Sequence, residues 1–126
     1  MIPKIVLVGV GRFGKNHLET LLNLEKKGLC KLIGIVEIEE KLQKEIKIKY
    51  KIQVSQKLED FIKIADAFDV VTPPNTHFKI VKYLLKNGKN VFVEKPITTK
   101  FSEAKKLSNI AKKKKVILQV GHISRY

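Results

Sequence analysis

Gly9-Val10-Gly11-Arg12-Phe13-Gly14 follows the apolar run Ile5-Val6-Leu7-Val8 and precedes a helix-patterned segment, Lys15 to Lys27. A G-x-G-x-x-G turn between a strand and a helix is the setting in which this pattern binds dinucleotides. Gly9 permits a tight turn, Gly11 lets the main chain approach a pyrophosphate, and Gly14 lets helix and strand pack closely. The helix start adds free N–H groups and a positive dipole end for the phosphates.

Working outward, short apolar strand signals recur at Lys4–Val8, Leu32–Val36, Ile52–Val54, Asp69–Thr72, Asn90–Val93 and Val116–Val120. Helical patterns separate them at Phe13–Lys27, Glu39–Tyr50, Leu58–Ile64, Thr76–Asn87 and Ser102–Lys115. Gly28 and Gly88 stand just past helix ends, where a left-handed cap is wanted. Pro73-Pro74 ends the fourth strand, Asn75 or Thr76 is expected to cap the next helix, and Ser102 the last, with Glu103 in its first turn. Strand–helix alternation with apolar strands predicts an α/β fold, a parallel sheet covered on both faces. Six strands opening on a glycine fingerprint predict the doubly wound Rossmann order 3-2-1-4-5-6 in one dinucleotide-binding domain over residues 1–126. A ligand would lie across the carboxyl ends of the strands.

Composition narrows the function classes. Apolar residues make up 44% of the chain, and no apolar run approaches the ~20 residues of a membrane span. Cys30 is the single cysteine and is read as a buried small residue, so neither an intramolecular disulfide nor a cysteine metal cluster is expected. Met1-Ile2-Pro3-Lys4 leads directly into a strand pattern and does not read as a secretory signal; a cytoplasmic location is expected. The net charge of +14 is carried by lysines spread over every helical segment, with only two arginines and no tryptophan. That pattern reads as a solvated surface and not as a nucleic-acid footprint, although it draws in anionic ligands. The three histidines, His17, His77 and His122, are too dispersed for a metal site.

Glu37 ends the second strand, 23 positions after Gly14. A carboxylate there accepts hydrogen bonds from the adenosine ribose hydroxyls and repels a 2′-phosphate. Ile38, Glu39 and Glu40 add no cation, which favours NAD over NADP, although Arg12 and Lys41 are within reach of a phosphate. Two more polar clusters stand at later strand ends: Thr72-Pro73-Pro74-Asn75-Thr76-His77 and Val93-Glu94-Lys95-Pro96. Their prolines stiffen loops that hold side chains in place, on the same ligand edge of the sheet. The isomer of the Lys95–Pro96 bond is left open.

These motifs, with Ile33-Gly34-Ile35-Val36-Glu37, Gly88-Lys89-Asn90-Val91-Phe92-Val93 and the ending Val120-Gly121-His122-Ile123-Ser124-Arg125-Tyr126, occur in order along the whole chain. Together they resemble the N-terminal domain of the glucose–fructose oxidoreductase / inositol dehydrogenase family, also called Gfo/Idh/MocA. The Glu94-Lys95-Pro96 triplet after the Pro73-x-x-x-His77 loop is the more selective part of the likeness. The resemblance implies hydride transfer between a sugar, sugar-nucleotide or polyol carbon and a nicotinamide. It implies that Gly9, Gly11, Arg12, Phe13 and Gly14 contact the pyrophosphate and that Glu37 takes the place of the family's commoner Asp at the ribose. Thr72, Pro73, Asn75 and His77 would line the nicotinamide-side ribose, and Glu94 would face the cofactor. Lys95 would stand at the nicotinamide and the substrate hydroxyl as the catalytic residue, steadying a developing alkoxide or relaying a proton. His17 is read as packing or capping locally, and His122 and Arg125 as substrate contacts. The ending looks most like members acting on UDP-N-acetylhexosamines at the 3-hydroxyl.

Family members are longer, and their second domain supplies most of the substrate pocket and the main oligomer interface. Tyr126 falls about where the crossover to that domain begins. The expectation is a chain that binds NAD with little or no turnover alone, its sugar substrate presented by a missing or separate C-terminal domain. A homo-oligomer is left open. The rival reading is a non-catalytic dinucleotide-sensing or interaction module, which would not need Lys95.

Overall fold

The computed structural model describes residues 1–121. In chain order the elements are β1 (Lys4–Val8), α1 (Arg12–Lys26), β2 (Lys31–Val36), α2 (Glu40–Lys49), β3 (Val54–Ser55), α3 (Glu59–Ile62), β4 (Ala67–Val70), α4 (Pro74–Lys86), β5 (Asn90–Val93), α5 (Phe101–Lys114) and β6 (Leu118–Val120). All strand pairs are parallel, and the six strands lie in the order β3-β2-β1-β4-β5-β6. This is the doubly wound order expected from the glycine turn and the strand–helix alternation.

Both faces of the sheet are covered, so the central strands β1, β2, β4 and β5 are near-continuous apolar runs and not alternating ones. Along β1, Val6 and Val8 point into a cluster with Phe61, Leu84, Leu85 and Leu107. Leu7 points to the opposite face, among Leu18, Leu21, Ile35 and Ile46. Each such side chain, if fully buried, adds roughly 1.5–3 kcal/mol of hydrophobic stabilisation. Among the described residues, no helix is long and apolar enough to cross a membrane.

The register levels the carboxyl ends of the strands. Val8 pairs with Val36 on one side and Val70 on the other, Val70 with Val93, and Val93 with Val120. The residues just beyond this row of valines, Gly9, Glu37, Val71 and Glu94, therefore emerge along one edge. The chain leaves β1 toward β2 and returns after β3 to β4, so the two halves of the sheet part between β1 and β4.

Several boundaries differ from those expected. β4 starts at Ala67 and ends at Val70, two residues early, because Thr72 and Pro73 turn out of the sheet and proline brings no N–H to the ladder. The next helix begins at Pro74, in its first turn, with Pro73 as the N-cap residue. Asn75 and Thr76 therefore lie inside α4 and do not cap it; the Thr76 hydroxyl bonds the Thr72 hydroxyl at 2.7 Å and the Pro73 carbonyl at 2.6 Å. Ser102 likewise lies inside α5, which starts at Phe101 without a side-chain cap, while Glu103 holds its expected first-turn place. β3 is a two-residue strand displaced to Val54–Ser55. Gly28 and Gly88 close α1 and α4 in the left-handed region as expected.

Candidate functional site

Two adjoining clefts lie over the carboxyl edge of the sheet and share Gly11, Val71, Thr72 and Pro73. The larger, about 760 Å³, lies on the β2–β3 side and reaches Glu37 and Ile38. The smaller, about 370 Å³, lies on the β5 side and reaches Arg12, Phe13, Glu94 and Lys95. The glycine turn is their common floor. Gly9 has φ +98°, and a Cβ there would meet the Val71 carbonyl oxygen at 2.7 Å. A Cβ on Gly14 would stand 2.1 Å from the Gly9 carbonyl oxygen, so the turn folds back on the first turn of α1. At Gly11 the opposite holds: among the described residues, nothing but its own chain neighbours lies within 4 Å of the place a Cβ would take. Gly11 is also the N-cap residue of α1, with no side-chain cap bond and no acidic residue in the first turn. An open cradle before uncapped N–H groups at a positive dipole end fits a pyrophosphate.

Glu37 is 8% exposed, at the end of β2. Its Oε1 accepts from the Val10 N–H at 2.8 Å and its Oε2 from the Glu39 N–H at 2.9 Å. The carboxylate is thus pinned between the glycine turn and the start of α2, with lone pairs left on both oxygens for further donors. Gln43 Nε2 donates to the Glu37 carbonyl oxygen at 2.5 Å and steadies the same corner.

On the other side, Lys95 is exposed at the lip of the smaller cleft, and the Lys95–Pro96 bond is cis. His77 is 1% exposed. Its Nδ1 faces the Pro96 carbonyl oxygen and its Nε2 the Thr72 carbonyl oxygen, each at 2.8 Å. His77 therefore ties the loop after β4 to the loop carrying Lys95, and both ring nitrogens are committed to main chain. Asn75 is exposed and lines neither cleft. His122 and Arg125, expected to meet substrate, lie outside the described residues.

One arrangement escaped sequence reasoning. His17, on the second turn of α1, is 1% exposed and reaches through to the sheet. Its Nδ1 lies 2.7 Å from Asp69 Oδ2 on β4, and its Nε2 lies 3.3 Å from Glu94 Oε1 just past β5. The expectation of local packing for His17 is thus corrected: its contacts are long-range and charged. Burial opposes charge on His17, but the two carboxylates outweigh it and raise its pKa above the ordinary 6.5. Burial raises the pKa of Asp69, the His17 cation opposes that rise, and the Glu94 charge adds to it. Asp69 Oδ1 is buried with no hydrogen-bond partner among the described residues. The signal was an acid inside the apolar strand Phe68-Asp69-Val70, a position that demands a partner. Among the described residues, no group of three or more acidic, histidine or cysteine side chains is arranged to hold a metal ion.

Residues 3–122 match the oxidoreductase family described as having an NAD-binding Rossmann fold, Gfo/Idh/MocA. The chain belongs to this family. The match covers the Gfo/Idh/MocA cofactor domain, so the clefts described above are those of an NAD-binding Rossmann domain. The chain is 32% identical, over 126 residues, to scyllo-inositol 2-dehydrogenase (NAD(+)) of Bacillus subtilis (strain 168), covering 98% of this chain and 36% of that protein. It is 25% identical over 119 residues to UDP-N-acetylglucosamine 3-dehydrogenase of Acidithiobacillus ferrooxidans, covering 94% of this chain and 36% of that protein. The crystal structure of GenD2 from gentamicin A biosynthesis in complex with NAD superposes with a TM-score of 0.86 at 25% identity, over 95% of this chain and 34% of that one. The chain thus spans about a third of the length of the curated Gfo/Idh/MocA relatives it matches.

Proposed function

We propose that residues 1–126 are the cofactor-binding domain of an NAD-dependent dehydrogenase acting on a CH–OH group of a sugar, sugar nucleotide or polyol. The observation that carries this reading is the pair of clefts meeting over Gly11, with a pinned acid at one end and an exposed lysine at the other. The N–H groups of Arg12, Phe13 and Gly14 hold the pyrophosphate where Gly11 leaves room. Glu37, already fixed by two main-chain donors, accepts from the adenosine ribose hydroxyls and repels a phosphate there. Thr72 and Pro73, shared by both clefts, line the path between the two halves of the dinucleotide. Asn75 stands exposed in the first turn of α4, outside both clefts, and is assigned to the cofactor on the family likeness alone. Bound NAD supplies the hydride acceptor or donor. Lys95 holds or moves a proton at its Nζ beside the substrate hydroxyl, and His77 keeps the Lys95 loop in register with the Thr72 loop. Glu94 lines the same cleft, and His122 and Arg125 are assigned to substrate contact on the family likeness alone.

The activities of these relatives support a polyol or sugar-nucleotide substrate. The sensing-module reading is disfavoured because such a module would not need Lys95 at the cleft lip. The span of about a third of those relatives supports cofactor binding with little or no turnover by the 126 residues alone, the substrate being presented by a further domain. A cytoplasmic location accords with a single buried cysteine. Lys95→Ala tests the catalytic assignment in a full-length form: turnover is expected to fall by about 10²–10⁴-fold with NADH affinity kept, and unchanged turnover would return Lys95 to the surface.

A further inference from the structure

We infer that His17 is a positioning residue: as an imidazolium buried between Asp69 and Glu94, it fixes the Glu94 carboxylate, and with it Lys95, at the smaller cleft. Hydrogen-bond valence sets the charge of the ring. Ionised carboxylates only accept, so a ring whose two nitrogens face Asp69 Oδ2 and Glu94 Oε1 must carry both protons to satisfy both contacts. Among the described residues, the charged groups facing the ring are Asp69 from β4 and Glu94 just past β5, while Phe92 closes one side edge-on with ring centroids 6.5 Å apart. Both carboxylates act on His17 to favour its charge against the opposing effect of burial.

The placement gives the cluster its purpose. His17 belongs to the helix whose first turn floors the cleft, Asp69 to the strand that delivers Thr72, and Glu94 immediately precedes Lys95. One ring therefore ties together the three elements whose ends form the smaller cleft. Packing alone does not account for it. An apolar residue would fill the same volume without burying ions, and ions so buried are tolerated only when paired with good geometry. The geometry retained is that of Glu94, whose side chain is 11% exposed and lines the cleft.

This assignment rests on the cofactor placement proposed above, and the test separates the two. Imidazole ¹⁵N spectra of the 126-residue chain are expected to show His17 with both nitrogens protonated at pH 7. A neutral His17 ring at that pH would overturn the inference. His17→Gln alone removes the cation from between two buried carboxylates and is expected to destabilise the chain. His17→Gln combined with Asp69→Asn removes one acid with the base and keeps the shape. That double variant is expected to bind ADP-ribose, which lacks the nicotinamide, within about twofold of the parent, and NADH about tenfold more weakly, the effect of one charge-assisted contact. Equal losses for both ligands, or no loss for NADH, would overturn the positioning role. If the double variant does not fold, the ¹⁵N spectrum of the parent decides the matter. If the parent binds neither ligand, the cofactor placement fails and the same spectrum still decides the state of His17.

Discussion

An added methyl group at Gly14 would stand 2.1 Å from the Gly9 carbonyl oxygen, with main chain on both sides of the conflict. Gly14→Ala is expected to destabilise the fold by about 1–3 kcal/mol, the usual range for overpacking, read from denaturant midpoints at unchanged m-value. Glu37 tests the adenosine side. Glu37→Gln keeps the shape but removes the charge that repels a 2′-phosphate; NADH affinity is expected to fall about tenfold while discrimination against NADPH narrows. Preserved discrimination in a paired titration would move cofactor choice to another residue. At His17 the linkage sign follows from a pKa raised on folding. The stability His17 contributes is fully present below its ordinary value, about 6.5, and is lost as pH rises through the raised one. The raised Asp69 value has the same sign, with its window beginning at the ordinary carboxylate range. Unfolding free energy of the parent is therefore expected to fall as pH rises above that of an unperturbed histidine. The His17→Gln/Asp69→Asn variant should lack that part of the slope, and parallel pH profiles would contradict the ion cluster.

At the scale of elements, the loops after β4 and β5 are coupled through His77, which spans the Thr72 and Pro96 carbonyls. His77→Ala is expected to speed amide exchange in both loops while leaving β1 and β4 protected, with a stability loss of about 1–3 kcal/mol from the stranded carbonyls. Exchange confined to one loop would show that the tie is not shared. The elements themselves were largely legible in sequence. Runs such as Ile5–Val8 and Asn90–Val93, apolar on both faces and separated by helical stripes, leave a parallel sheet as the physical solution, and the observed strand order agrees. The edge positions of Glu37 and Glu94 were legible too, because a polar residue directly after an apolar strand must emerge at the sheet edge, and Lys95 follows one residue on. The start of α4 was not, because Asn75 and Thr76 are good caps locally while Pro74, fixed in φ, is a better first residue. The His17 cluster was hidden for a different reason: its members lie 52 and 77 positions apart from the histidine and meet only when α1 packs on the sheet. The committed nitrogens of His77 were equally invisible, since two main-chain carbonyls carry no sequence signature.

For the whole molecule, a net charge of +14 accompanies the clefts proposed to take an anionic ligand. NADH association is expected to slow as salt rises through the range where the Debye length falls to about 8 Å, with a smaller change in dissociation. Salt-independent association in stopped flow would confine the charge to solubility. Gly11 is the residue on which dinucleotide binding in these clefts turns. Its Cβ position is open and its φ is not left-handed, so a larger residue fits the fold but occupies the place given to the pyrophosphate. Calorimetric titration of NADH into the parent chain and into Gly11→Val tests this most directly. Saturable binding by the parent, lost in a Gly11→Val variant with an unchanged melting temperature, is the predicted result; equal binding by both, or none by the parent, would contradict the assignment of this cleft to the dinucleotide.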